Sequence, residues 1–347
     1  MVKKTIFYIL VVSPLLAASL VTATVYLFLT SPYEGPEKQF VISPGESFSK
    51  INYRLEKESV IFSAKLFYYL AKYKKNIGRL KAGSFTIKSG MDSFDVMETL
   101  VNSSPHLIKV TIPEGKNLYE IGSLLEQKNI LKKDLFIKEA KKTNYLDIFE
   151  IPHNLNLEGH LFPDTYKFAK GVGASQVVSA LVNNFKNKTK DLNLSAHPSL
   201  SPFQLITLAS IVEKETGAAF ERPIIAGVFH NRLKKKMRLQ SDPTTIYGIW
   251  DSYKGNLKKK HLLEKTPYNT YKIPSLPIGP IANPSLQAIK AVLSPQKHNY
   301  LYFVSKNDGT HIFTRNYQEH LKAVEKWQKT RRNRKGKSWR DLKQKAK

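Results

Sequence analysis

The run from Thr5 to Thr30, TIFYILVVSPLLAASLVTATVYLFLT, carries no charged side chain and constrains the chain more than any other feature. A helix needs about 20 apolar residues to cross a bilayer core, so residues 5–30 read as a transmembrane helix with room to tilt. Lys3 and Lys4 ahead of it keep residues 1–4 cytoplasmic, placing everything after Ser31 outside. Tyr26 and Tyr33 suit the outer interface. A cleaved signal peptide competes, since Ala17-Ala18-Ser19 offers small residues, but its apolar region is typically about 7–15 residues.

The chain has 55 Lys and Arg against 28 Asp and Glu, a formal net charge of +27. Such an excess implies an anionic neighbour, whether nucleic acid, lipid head groups or an acidic wall polymer. Much of it is concentrated in the tail 326–347, which reads as a solvated helix or arm. A membrane anchor and an external location disfavour nucleic acid. Contact of the tail with anionic lipid or wall polymer is the expectation its charge supports. The absence of cysteine excludes thiolate catalysis, disulfides and Cys-zinc sites.

Between the Pro/Gly-containing linker 31–37 and residue 190 the chain uses one pattern twice. Phe48, Ile51, Leu55, Val60 and Ile61 recur as Leu118, Ile121, Leu125, Ile130 and Leu131. Leu66-Phe67 with Ala71 recurs as Leu135-Phe136 with Ala140, and Val96, Leu100 and Val101 as Val177, Leu181 and Val182. Each copy reads as a strand followed by two short amphipathic helices. That spacing resembles LysM-type modules, which bind the peptidoglycan backbone; a β-α-α packing unit without a ligand is the alternative. The expected organisation is a LysM-like subdomain at 38–108 and a region at 109–325. The latter holds a second repeat at 109–190 and a catalytic domain at 201–325. The fold class is α+β: transmembrane helix, LysM-like β-α-α subdomain, then an α+β catalytic domain. Asn307-Asp308-Gly309 between apolar runs marks a hairpin turn.

Several catalytic patterns are absent. Gly336-Lys337-Ser338 lacks the first glycine of a phosphate loop, and there is neither a G-x-S-x-G elbow nor H-E-x-x-H. The informative segment is SPFQLITLASIVEKETGAAFERPIIAGVFHNRLKKKMRLQSDPTTIY, residues 201–247. Ser201 can cap a helix with Pro202 in its first turn. Leu205, Leu208, Ala209 and Val212 share one face, and Gly217 is placed to end the helix. Glu213 and Glu215 then lie on opposite edges of that face. A carboxyl there loses hydration and holds its proton more readily, as a general acid must. Geometry alone does not choose between them.

LASIVEKETG, then ER, VFHNRL, MRLQSDPTTIYG, YNTYKIPSLPIGPIANPS and YLYFV, with TIPEG and LEGHLFPDTYKF upstream, together resemble the MltG (YceG-like) endolytic murein transglycosylases. The resemblance covers about residues 38–325. It implies cleavage of MurNAc-β-1,4-GlcNAc bonds in nascent strands to give 1,6-anhydroMurNAc ends, terminating elongation. It also implies Glu213 as the catalytic residue, with Glu215 beside it. Substrate-binding candidates in the matching loops are Gln240, Asp242, Tyr247, Asn269 and Tyr271, with Asn231 and Arg232 in support. No metal or cofactor is implied. Expected partners are peptidoglycan strands, the membrane and, by family example, penicillin-binding proteins and strand polymerases. A non-catalytic, membrane-anchored glycan-binding scaffold is the alternative.

Overall fold

The computed structural model describes residues 12–42, 45–104 and 107–330. The first helix, α1 (Ser13–Leu29), buries none of its side chains. Among the described residues no helix is long and apolar enough to cross a membrane. The span expected over 5–30 begins in residues 1–11, outside the described ones, as does the tail beyond Thr330.

The chain divides into two compact units. The first comprises residues 1–110 with two short later segments, 128–131 and 167–176. Its centre is β1 (Lys38–Ile42), α2 (Phe48–Lys57), α3 (Ala64–Tyr73) and β2 (Gly83–Ile87), followed by α4 (Ser93–Asn102). β1 and β2 pair antiparallel with Phe40 opposite Phe85, and both rings are buried. Ser47 and Ser63 cap α2 and α3 by accepting from the backbone N–H three residues on, which fixes where each begins. Ile51, Leu55, Val60, Ile61, Phe67, Ala71, Val96, Leu100 and Val101 all enter this core.

Residues 31–37 are not the free linker expected. Tyr33 is buried rather than at a lipid interface, its N–H bonding Met91 O at 2.7 Å.

The two copies of the repeated pattern share local features. α5 (Leu118–Gln127) matches α2 in its ten-residue length, and Ile121, Leu125, Ile130, Phe136 and Ala140 are buried like their counterparts, while Leu118 is buried where Phe48 is half-buried. The backbone repeats too: Gly45 and Gly115 have φ of 77° and 72°, and Ser59 and Asn129 have 56° and 53°. The end of the second repeat at 190 does not divide the two compact units. α5 and α6 (Lys133–Glu139) belong to the second compact unit, together with everything from Val177 onward. Backbone hydrogen bonds explain why: Gly115 N donates to Asn283 O and Asn283 N to Lys116 O, both at 2.9 Å. β3 (Leu107–Thr111) and β4 (Thr165–Ala169) form their own two-stranded sheet.

The second unit is organised around α8 (Pro202–Glu215), which follows α7 (Ala174–Thr189). Ser201 and Gln204 form a capping box at its start. Its eight residues from Leu205 to Val212 are all buried, so the helix has no single apolar face as its spacing suggested. A helix covered all round is a core helix; α9 (Arg222–Lys234), α10 (Asp242–Gly248) and α11 (Leu286–Leu293) pack on it. Gly159 permits one close approach: its φ is 85°, and a Cβ there would stand 2.6 Å from Pro280 and 2.8 Å from Ile206. Gly217 does not end the helix; the chain turns extended at Thr216.

β5 (Tyr302–Ser305) and β6 (His311–Thr314) form the expected hairpin, with Asn307 and Gly309 at positive φ. After α12 (Tyr317–Val324), the start of the basic tail leaves Lys326 and Lys329 exposed while the residues between them bind the hairpin. Trp327 O accepts from Asn307 Nδ2 at 2.8 Å, and Gln328 Nε2 donates to Ser305 O at 2.7 Å.

Candidate active site

The end of α8 delivers two carboxylates into different surroundings. Both oxygens of Glu213 accept from donors. Arg222 Nη2 lies 3.0 Å from Oε1, while Ser285 gives Oε2 its backbone N–H at 3.0 Å and its hydroxyl at 2.5 Å. Glu213 thereby joins α8 to the start of α9 and to the N-cap of α11, and the ion pair is nearly shielded from solvent.

Glu215 is partly buried, and among the described residues only its Oε1 is engaged, by the Ser241 hydroxyl at 2.5 Å. Burial pushes its carboxyl up to about 7. The Ser241 hydrogen bond and the Arg232 charge pull it down, and the Asp242 charge pushes it up. Ser241 is placed by the loop before α10: its N–H donates to Thr270 Oγ1 at 3.0 Å, and Gln240 ahead of it sits at φ 51°. Arg232 is itself fixed. Its Nε donates to Leu301 O at 2.6 Å, its Nη1 to Leu239 O, and its guanidinium lies over Tyr302.

Three of the five expected substrate contacts neighbour the Ser241–Glu215 pair, Gln240 and Asp242 in sequence and Tyr271 through Asp242. Gln240 and Asp242 are exposed, and partly buried Tyr271 donates its hydroxyl to Asp242 Oδ1 at 2.7 Å. The other two do not. Asn269 is fully buried, donating to the carbonyls of His261, Leu262 and Glu264 and accepting from Thr245 and from the Tyr271 N–H. It builds the loop rather than meeting a ligand. Tyr247 is also buried, so it offers no face for a sugar; its hydroxyl donates to Glu158 at 3.0 Å. Asn231 has a structural task, donating to the carbonyls of His298 and Tyr300.

Glu158 is a buried carboxyl that sequence reasoning passed over. It accepts from Leu118 N, Tyr247 Oη and Asn283 Nδ2, and burial pushes it up to about 8. Ser241, Ser285, Arg222 and Asn283 were missed as well. All of these lie inside LEGHLF, ER, QSDP or ANPS, so the segments were visible while the partners were not.

A cleft of about 460 Å³ runs beside Ser285, lined also by Glu114, Asp164 and Lys188, and a larger one of about 1040 Å³ lies at the N-terminal end of α8. Neither is lined by Glu215, whose bonded partner Ser241 stands between the exposed residues Gln240 and Asp242. Among the described residues no cluster suited to a metal ion occurs.

The model of the YceG-like family matches residues 40–326. The chain belongs to the YceG-like family. A Bacillus subtilis (strain 168) relative named endolytic murein transglycosylase is 35% identical over 324 residues, covering 86% of this chain and 88% of the relative. A protein of the same name from Streptococcus pneumoniae (D39) is 29% identical over 337 residues; the match spans 84% of this chain but 59% of that longer protein. The crystal structure of a yceG-like protein from Listeria monocytogenes is similar at a TM-score of 0.56 and 32% identity, covering 82% of this chain and 98% of that one. The mixed helix-and-sheet architecture is thus a YceG-like fold, and the stretch it spans includes both glutamates of α8.

Proposed function

We propose that this YceG-like protein is an endolytic lytic transglycosylase that cleaves MurNAc-β-1,4-GlcNAc bonds within nascent peptidoglycan strands. The products carry 1,6-anhydroMurNAc ends, which stop further elongation. Two relatives named endolytic murein transglycosylase, matched over most of this chain, support the reaction class. In this reading Glu215, rather than Glu213, is the catalytic acid. The observation that carries the assignment is a carboxyl raised to about 7 whose Oε2 is unengaged among the described residues, beside exposed polar side chains.

A general acid works best when its pKa lies near the working pH. Protonated Glu215 donates to the glycosidic oxygen as the bond to MurNAc C1 breaks, leaving an oxocarbenium-like centre. Other glycosidases then use a second carboxylate for attack or to activate water. Here the C6 hydroxyl of the same sugar attacks C1, and the Glu215 carboxylate takes its proton. One side chain therefore serves both steps and ends reprotonated. The Ser241 hydroxyl supports the charge that Glu215 carries between them. Intramolecular attack requires the sugar to be held bent, which is the role proposed for Gln240, Asp242 and Tyr271. Glu213 acts through position, tying Arg222 and Ser285 to the end of α8.

The finer organisation is proposed on the same footing. The β-α-α-β arrangement of residues 38–87 supports a LysM-like, glycan-binding role for the first unit. The mostly exposed apolar side chains of α1, continuous with an uncharged sequence back to Thr5, support a single-pass anchor with the enzyme outside. Strand polymerases and penicillin-binding proteins are the proposed neighbours, because new strands arise beside them.

The test is release of 1,6-anhydro-ended fragments from purified sacculi by the wild type, Glu215→Gln and Glu213→Gln. Wild type should release them, and folded Glu215→Gln should not. Activity in Glu215→Gln, with none in equally folded Glu213→Gln, would return the acid role to Glu213. A wild type that binds sacculi without cleaving them would leave the scaffold reading.

A further inference from the structure

The first unit carries a surface that the chemistry at Glu215 does not use. It begins where α1 meets that unit. Phe28 stacks on Phe62 at 4.3 Å, and Leu29 packs against the core containing Phe67 and Leu70. Tyr33 is buried, donating its N–H to Met91 O at 2.7 Å while its carbonyl accepts from Gly90 N at 2.8 Å. Only residues 30–32 separate the packed end of α1 from this clasp, and three residues reach at most about 11 Å. The headgroup zone on one side of a bilayer is about 5–8 Å deep. A unit held this tightly lies against the surface that α1 enters.

The face that follows the joint has the composition of that zone. α3 starts two residues after Phe62 and turns Phe67, Leu70 and Ala71 inward. Outward it carries Tyr68, Tyr69 and Tyr73, exposed by 39%, 54% and 82%, with Lys65 and Lys72 between them. No Asp or Glu occurs from Ser63 to Phe85, while Lys74, Lys75, Arg79 and Lys81 continue the positive charge. A purely solvated helix face has no use for three tyrosines. Aromatic rings beside long basic chains settle where apolar tails give way to charged headgroups.

We infer that the Tyr68–Tyr69–Tyr73 face of α3, together with Phe62, seats the first unit on an anionic lipid surface in the headgroup zone. The inference rests on the proposal that α1 is anchored in a membrane. Anionic phospholipid is the partner because Lys65, Lys72, Lys74, Lys75, Arg79 and Lys81 outnumber the one carboxylate at the start of α3, Glu56, whose Oε1 accepts from Ala64 N at 3.0 Å, and because the face is continuous with an exposed apolar helix.

The chain lacks cysteine, so single positions can be labelled without background. Tyr69→Cys, Tyr73→Cys and, as a solvent reference, Lys259→Cys would each carry an environment-sensitive fluorophore in the full chain. The probes are vesicles of phosphatidylcholine with about 30% phosphatidylglycerol, and of phosphatidylcholine alone. The expected result is a blue shift at 69 and 73 and at least threefold protection from aqueous iodide relative to 259, larger in the anionic vesicles. Equal quenching at all three positions, in protein that resists carbonate extraction, overturns the inference while leaving the anchor intact. Protein removed by carbonate overturns both. Protection at 69 and 73 that appears only when soluble glycan strands are added overturns it in favour of a sugar-binding face.

Discussion

Glu213 and Glu215 sit two residues apart on one helix in different surroundings, and the function proposed above gives them opposite tasks. Glu213 meets a guanidinium and an N-cap serine, and both oxygens hold other segments in place. Glu215 meets one hydroxyl and an adjacent carboxylate in a partly buried position, and its proton is retained up to about pH 7. Burial alone therefore does not make an acid catalyst. A cation beside a shielded carboxyl makes a clamp, whereas a shielded carboxyl without a direct cationic partner makes a proton donor.

The largest effect that could break this contrast is in the rate. Glu215→Gln should lower anhydro-product formation by about 10³-fold, within the usual range for a general acid, with an unchanged melting temperature or a slightly raised one. Glu213→Gln should instead show itself in stability. It leaves Arg222 without its anionic partner and should cost about 3 kcal/mol in denaturant unfolding, with specific activity per folded molecule falling far less.

Acidity sharpens the contrast further. The folded-state pKa of Glu215 is raised, so the folded protein binds this proton more tightly than the unfolded chain. Its contribution to stability is complete below about pH 4.5, the ordinary carboxyl value, and is lost as pH rises through about 7. The loss amounts to about 3 kcal/mol at full ionisation. Unfolding measured from pH 5 to 8 should show it in wild type and not in Glu215→Gln. The rate should likewise fall about tenfold per pH unit above 7.

Smaller effects test the supports. Tyr247→Phe removes a donor to buried Glu158 and should cost about 1 kcal/mol with little change in the pH profile. Ser241→Ala removes the hydroxyl that favours ionised Glu215. It should move the falling limb of the rate profile upward by about half a pH unit, the smallest shift of the set.

Much of the fold could be read in advance because its signals are local. The doubled pattern of Ile51 and Leu55 with Ile121 and Leu125, the Ser201 cap and the Asn307-Asp308-Gly309 turn each depend on a few neighbouring residues. The segments that build the site were legible for the same reason. What failed was assignment within them. Asn269 and Tyr247 occupy segments expected at the site, but their polar atoms bind other protein groups instead. Spacing gave α8 one apolar face, whereas its neighbours cover it on every side.

The sequence by itself determined the family, the reaction class, the repeat and the short list of acidic side chains, because these follow from residue identity and order. Only the tertiary structure decided what each carboxyl of α8 meets, that α5 and α6 lie in one compact unit with α8, and that Tyr33 is buried. The physical reason is that proton affinity and packing depend on what approaches in space. Ser285 reaches Glu213 from 72 residues away and Ser241 reaches Glu215 from 26, and no periodicity along the chain records such meetings.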